Sequence, residues 1–129
     1  MTLQELSNFI EKNKQLQRAK ETIQALYALA YPTSSPKLNV PRSSDIQDKT
    51  GDLGIEIAEL RDEISQLEQA IERVKPAVTM FVENIADSHM RLILRLRVLR
   101  GLSWSEVAAV VGGGNNVENV KKSYYRYFY

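Results

Sequence analysis

The 129-residue chain contains no cysteine. Disulfides and thiolate metal sites are therefore excluded, and the composition fits a reducing cytosol. Histidine occurs once, at His89, too few nitrogen ligands for a structural zinc site. The acidic residues are spread along helical flanks rather than clustered in a loop, so a carboxylate-only Mg²⁺ or Ca²⁺ site is not expected either. No metal or other cofactor is expected. Long apolar runs are also missing, none approaching the ~18 residues of a membrane-crossing helix. The opening MTLQELSNFIEKNKQ lacks the basic-then-apolar layout of a secretion signal. A soluble, cytoplasmic protein without a membrane partner is the expectation.

Net charge is only +1, but it is unevenly distributed. Residues 1–86 carry ten Lys/Arg and thirteen Asp/Glu, whereas residues 87–129 carry seven and three. The basic last third is where an anionic partner is expected to meet the protein.

Glycine and proline are scarce and clustered. Residues 2–30 contain neither, and Thr2 with Glu5 makes a capping box. Phe9, Leu16, Ala19, Ile23, Leu26 and Ala30 recur at three- and four-residue spacing, with Lys12 interrupting, beside Leu3, Leu6, Ile10 and Asn13, which predicts a first helix. Three of the four prolines then fall in YPTSSPKLNVPRSSDIQDKTG, 31–51, which reads as a loop. From Leu53 through Ile57, Leu60, Ile64, Leu67, Ile71, Val74, Val78 and Phe81 to Ile85 the apolar spacing alternates four and three. That is a heptad seam. Its register passes Pro76 undisturbed, with the proline on the side away from the seam, so one helix is predicted over about 52–86. At ~1.5 Å per residue the two helices span ~43 and ~50 Å. Joined by a loop, they predict an antiparallel, coiled-coil-like hairpin arm. Phe9, Ile10 and Ile55 are poorly covered in such an arm, and a homodimer is expected to cover them.

Residues 87–129 read as a separate three-helix domain. ADSHMRLILRLRVLR, 86–100, is apolar on several sides, with Asp87 or Ser88 as its cap and Gly101 as its stop. SWSE, 103–106, is a second capping box, opening a short helix with Trp104, Val107, Ala108 and Val111 on one face. Gly112, Gly113 and Gly114 end it, and Asn115 or Asn116 caps the final helix. Val120, Tyr124 and either Tyr127 or Phe128 form that helix's inner stripe. Glu118, Asn119, Lys121, Lys122, Tyr125 and Arg126 lie outside it. Amide, carboxylate, ammonium and guanidinium groups on one helix face suit base edges and phosphates in a DNA major groove. Glu118 and Asn119 are expected to read bases; Lys121, Lys122 and Arg126, with Arg97 and Arg100, are expected to neutralise phosphates.

Two tempting catalytic readings fail. Asp87-Ser88-His89 contains the residue types of a hydrolytic triad, but neighbours on a helix point ~100° apart. The glycine run follows a helix, whereas phosphate-cradling glycine loops follow a strand, and no GKS or GKT is present. The chain is not expected to be an enzyme.

LRLRVLRGLSWSEVAAVVGGGNNVENVKKSYYRYF, 94–128, resembles the helix-turn-helix of sigma-70 region 4. That motif has a leucine/arginine-rich helix, a glycine-leucine-serine turn, a Glu-Val/Ile-Ala core, a glycine turn and a basic recognition helix. Nearly the whole chain resembles a family of small phage and prophage regulators of Gram-positive bacteria, from NKQLQRAK through GDLGIEIAEL to GLSW-E-VA. The expected fold is all-α, and the resemblance implies a sigma-like regulator of phage transcription that binds double-stranded DNA, with the helical arm expected to serve dimerisation, contact with host RNA polymerase, or both. Matching by position, it implies DNA contacts from Glu118, Lys121 and Lys122, with Asn116 and Asn119 near the helix start, and a core or backbone-contacting role for Trp104. The promoter-melting region 2 of a sigma factor has no counterpart in these residues, so a complete sigma factor is not expected. The rival expectations are a DNA-packaging adaptor resembling a terminase small subunit, and a protein-interaction module that reads no sequence.

Overall fold

A computed structural model of the chain describes residues 1–31, 44–114 and 116–129; for 44–52 the backbone alone is described. Among the described residues every regular element is helical, as the apolar periodicities predict. The elements are α1 (Leu3–Ala30), α2 (Ser44–Glu83), α3 (Ser88–Leu94), a π-helical turn (Arg95–Leu99), α4 (Trp104–Val111) and α5 (Val117–Tyr127). No helix of the described residues is long and apolar enough to cross a membrane.

Local hydrogen bonding sets most of the helix starts. Thr2 Oγ1 accepts from the Glu5 amide at 3.1 Å while Glu5 Oε1 accepts from the Thr2 amide at 2.8 Å. Those bonds hold the Glu5 carboxyl below its usual range. Asp87 caps α3 by accepting from the Met90 amide at 3.1 Å. The Ser103–Glu106 capping box at the start of α4 is complete.

α2 runs unbroken through Pro76, which is exposed. The freed Glu72 carbonyl thus lies on the water side of the helix. The helix also begins earlier than the predicted loop allows. Residues 32–43 of that loop lie outside the described residues, but 44–51 are helical. Gly51 is the last residue of the predicted loop, yet a glycine inside a helix costs only about 1 kcal/mol relative to alanine. The heptad-bearing turns beyond it offset such a cost. α2 ends at Glu83, three residues before the predicted boundary.

The chain divides into two compact units, Met1–Lys14 with Ala70–Tyr129, and Gln15–Gln69. This division runs through both long helices. In the Gln15–Gln69 unit, Ile23, Ala30 and Ile57 form the buried centre, edged by half-buried Leu26, Tyr27, Leu53, Leu60 and Ile64. Arg61 donates to the Tyr27 hydroxyl, and Lys20 pairs with Glu68 at 3.5 Å across exposed surface. Ile55 is 65% exposed.

The other unit has the larger core. Leu6, Phe9, Val78, Val82, Ile93, Leu94, Val107, Val120 and Tyr124 are buried, drawn from all five helices. Phe9, expected to be poorly covered, is 5% exposed, and Ile10 is half-buried. The reason is that the start of α1 belongs to the unit holding α3–α5, where more apolar surface is present than two helices supply. Val82, off the heptad seam, is fully buried for a related reason: the end of α2 meets several neighbours. Phe81 stacks with Phe128, and Arg95 bonds both carboxylate oxygens of Glu83 at 2.9 and 3.1 Å.

Candidate nucleic-acid interface

Between α3 and α4 the backbone loosens into a π turn. The Arg100 amide reaches the Arg95 carbonyl at 3.0 Å, and the Leu102 amide reaches the Leu96 carbonyl at 3.1 Å. Gly101, at φ 72°, supplies the left-handed residue that ends the helix. The extra residue turns Arg97 towards the start of α4. Its Nη1 donates to the Leu102 carbonyl at 3.0 Å, and its guanidinium lies over the Trp104 ring. Arg97, expected at a DNA phosphate, is thus committed within the protein. Arg91 is likewise bound to the Ile85 carbonyl at 2.7 Å, whereas Arg100 is exposed.

Gly112, Gly113 and Gly114 all have positive φ, at 62°, 63° and 80°. An L side chain rarely adopts that region, so the triplet is required by the backbone path between α4 and α5. Asn115 lies outside the described residues. Asn116 is the cap of α5, its Oδ1 accepting from the Asn119 amide at 2.8 Å. The side-chain oxygen is used in folding, which leaves its amide NH₂ for any base or phosphate.

α5 buries Val120 and Tyr124 and half-buries Phe128, while Tyr127 is 43% exposed. Phe128, not Tyr127, completes the inner stripe. The Tyr124 ring meets Trp104 edge-on at 4.9 Å, and burial pushes its hydroxyl up to about 12, with Tyr125 adding and Arg97 opposing. Opposite, Glu118, Lys122 and Arg126 are exposed and recur every four residues, which sets them in one line along the helix. Asn119 is exposed beside that line. Lys121 is half-buried at its edge, ~100° from Lys122, and so departs from the expected outward set.

Tyr125 is 41% exposed and belongs to an aromatic group, 5.1 Å from Tyr124 and 6.4 Å from Trp104. Beside it opens a cleft of about 140 Å³ that Ser7, Ile10, Glu11 and Lys14 of α1 help to line. No sequence pattern ties these α1 residues to α5, because the link spans more than 100 positions. Arg126 borders a different groove, with Asp87, His89 and Ser123. Asp87 is spent on the α3 cap, so the triad-like tripeptide is part of a helix start. The unit containing α3–α5 carries eleven Lys/Arg against seven Asp/Glu, a net of +4; the other unit has six and nine, a net of −3. Comparison with protein-family models, with curated proteins and with solved structures finds no match for this chain.

Proposed function

We propose that the protein is a double-stranded-DNA-binding regulator of transcription whose α4–glycine turn–α5 segment acts as a sigma region-4-like helix-turn-helix. The observation that carries this reading is the outward line Glu118–Lys122–Arg126 on a capped helix whose opposite face is buried. Such a helix presents acceptors and cations together, with Asn119 beside them, and rests on a rigid aromatic base. In this role Lys122 and Arg126 neutralise phosphates, Glu118 and Asn119 approach base edges, and Lys121 meets the backbone from the rim. The net positive charge of the same unit supports approach to DNA.

The resemblance of nearly the whole chain to small phage and prophage regulators adds phage or prophage genes as targets, and the sigma-like 94–128 segment makes host RNA polymerase a partner to test. In this reading α1 and α2 form an antiparallel hairpin arm, which the pairs Tyr27–Arg61 and Lys20–Glu68 support. The arm joins two copies of the chain. Exposed Ile55 and the half-buried Leu53, Leu60 and Ile64 support that role. No catalytic activity is assigned.

Fluorescence anisotropy on double-stranded DNA over a salt series tests the reading. Lys122→Ala/Arg126→Ala is expected to weaken binding and lower the slope of log K against log salt by ~1.8, or ~0.9 per lost phosphate contact. An unchanged slope overturns the assignment. Molar mass in solution distinguishes a regulatory dimer from the large ring of a packaging adaptor.

A further inference from the structure

We infer that Lys14 of α1 is part of the nucleic-acid surface, and that the cleft it shares with Ser7 and Tyr125 seats a phosphate of the DNA backbone. This rests on the proposed DNA-binding role of α5 and extends that surface to an element no motif implicated. The starting point is the distribution of cations. On the Trp104–Tyr125 flank, Arg97 is the cation expected at a phosphate, but its guanidinium is held by the Leu102 carbonyl and the Trp104 ring. Arg95 is likewise held by Glu83. Lys14, in contrast, is exposed and makes no ion pair among the described residues. It lines the same cleft as Tyr125, Trp104 and Arg97.

The position of the cleft is set by helix geometry. Tyr125 lies ~60° around α5 from Lys122, at the rim of the outward face. When a helix occupies a major groove, the sugar–phosphate strands pass along its two rims, where contacts fix register rather than read sequence. A phosphate at this rim meets the Lys14 ammonium, a compact point charge suited to a single anion. The Ser7 and Tyr125 hydroxyls supply neutral donors at the same opening. The Arg97 guanidinium contributes its charge through the cleft wall while remaining bound within the protein. Glu11 lines the cleft too and opposes an anion, so the site as built is weaker than its cations alone allow.

The experiment is a salt titration of binding to mixed-sequence double-stranded DNA, followed by anisotropy, using the full chain. Lys14→Ala is expected to lower the slope of log K against log salt by ~0.9. Lys12→Ala, which removes a half-buried lysine from a separate cleft beside Phe9 and Ile71, is expected to leave the slope unchanged. Glu11→Gln is expected to tighten binding, a gain that loss of folding cannot mimic. If Lys14→Ala and Glu11→Gln both bind like the parent while Lys122→Ala lowers the slope, the Lys14 site is overturned and DNA binding by α5 stands. If the parent shows no salt-dependent binding, both are overturned.

Discussion

The guanidinium carbon of Arg97 lies 4.6 Å from the centre of the Trp104 ring, and its Nη1 donates to the Leu102 carbonyl at 3.0 Å. One side chain thus spans the turn between the π-helical segment and α4. Arg97→Ala removes a charge-assisted hydrogen bond and a cation–π contact and leaves the carbonyl to water. A loss of about 1–3 kcal/mol is expected. Arg97→Lys keeps the charge without the planar fork and should fall between. Denaturant unfolding followed by the fluorescence of Trp104, the single tryptophan, measures both; parent-like stability of Arg97→Ala contradicts the role.

Two glycines should respond to alanine in opposite directions. Gly112 has φ 62° and ψ −151°, a region essentially confined to glycine. Gly112→Ala is expected to cost about 1–3 kcal/mol. Gly54 lies within helical α2, exposed, with no atom within 4 Å of an added Cβ. Gly54→Ala should therefore stabilise by about 0.5–1 kcal/mol, chiefly by narrowing the unfolded ensemble. Thermal melts of the two variants check the opposite signs.

Tyr124 predicts a specific alkaline behaviour. Its hydroxyl is raised from 10.0 to about 12, mainly because burial penalises the phenolate. The folded state therefore binds its proton more tightly than the unfolded state does. The stability linked to this group is complete below pH ~10 and is lost as pH rises towards about 12. Comparing unfolding midpoints of the parent and Tyr124→Phe across that window isolates the effect. The parent should lose stability faster with rising pH; parallel curves refute the link.

Asn116 separates folding from recognition. Its Oδ1 caps α5, so Asn116→Ala should cost about 1 kcal/mol. Asn116→Asp keeps the cap acceptor and places negative charge at a helix N-terminus, where it is tolerated or favourable. It should melt no lower than the parent yet bind DNA more weakly, because it lacks the NH₂ donor and repels phosphate. Equal DNA affinity of Asn116→Asp and the parent would show that Asn116 serves as a cap alone.

The features legible from sequence are those decided over three or four residues. The Thr2 and Ser103 caps, and the Asp87 and Asn116 caps that were each one of two neighbouring candidates, depend on a side chain reaching an amide three positions on. The passage of α2 through Pro76 followed from a heptad register that continued on both sides of it. The outward line of α5 followed from the spacing of Val120 and Tyr124 on its other face.

Other features depend on residues far apart in the chain. Phe9 is poorly covered in a two-helix arm, but it is buried in a unit to which all five helices contribute. The π turn adds one residue to a helical register, a change that apolar periodicity does not signal, and it commits Arg97 to Trp104. The opening of a cleft by Ser7 and Lys14 beside Tyr125 is likewise a product of packing. Local hydrogen bonds and heptad spacing thus determine where the helices start and which faces they bury. Which cations remain open to an anion is decided by tertiary structure, because a guanidinium or ammonium is engaged or exposed according to neighbours brought close by folding alone.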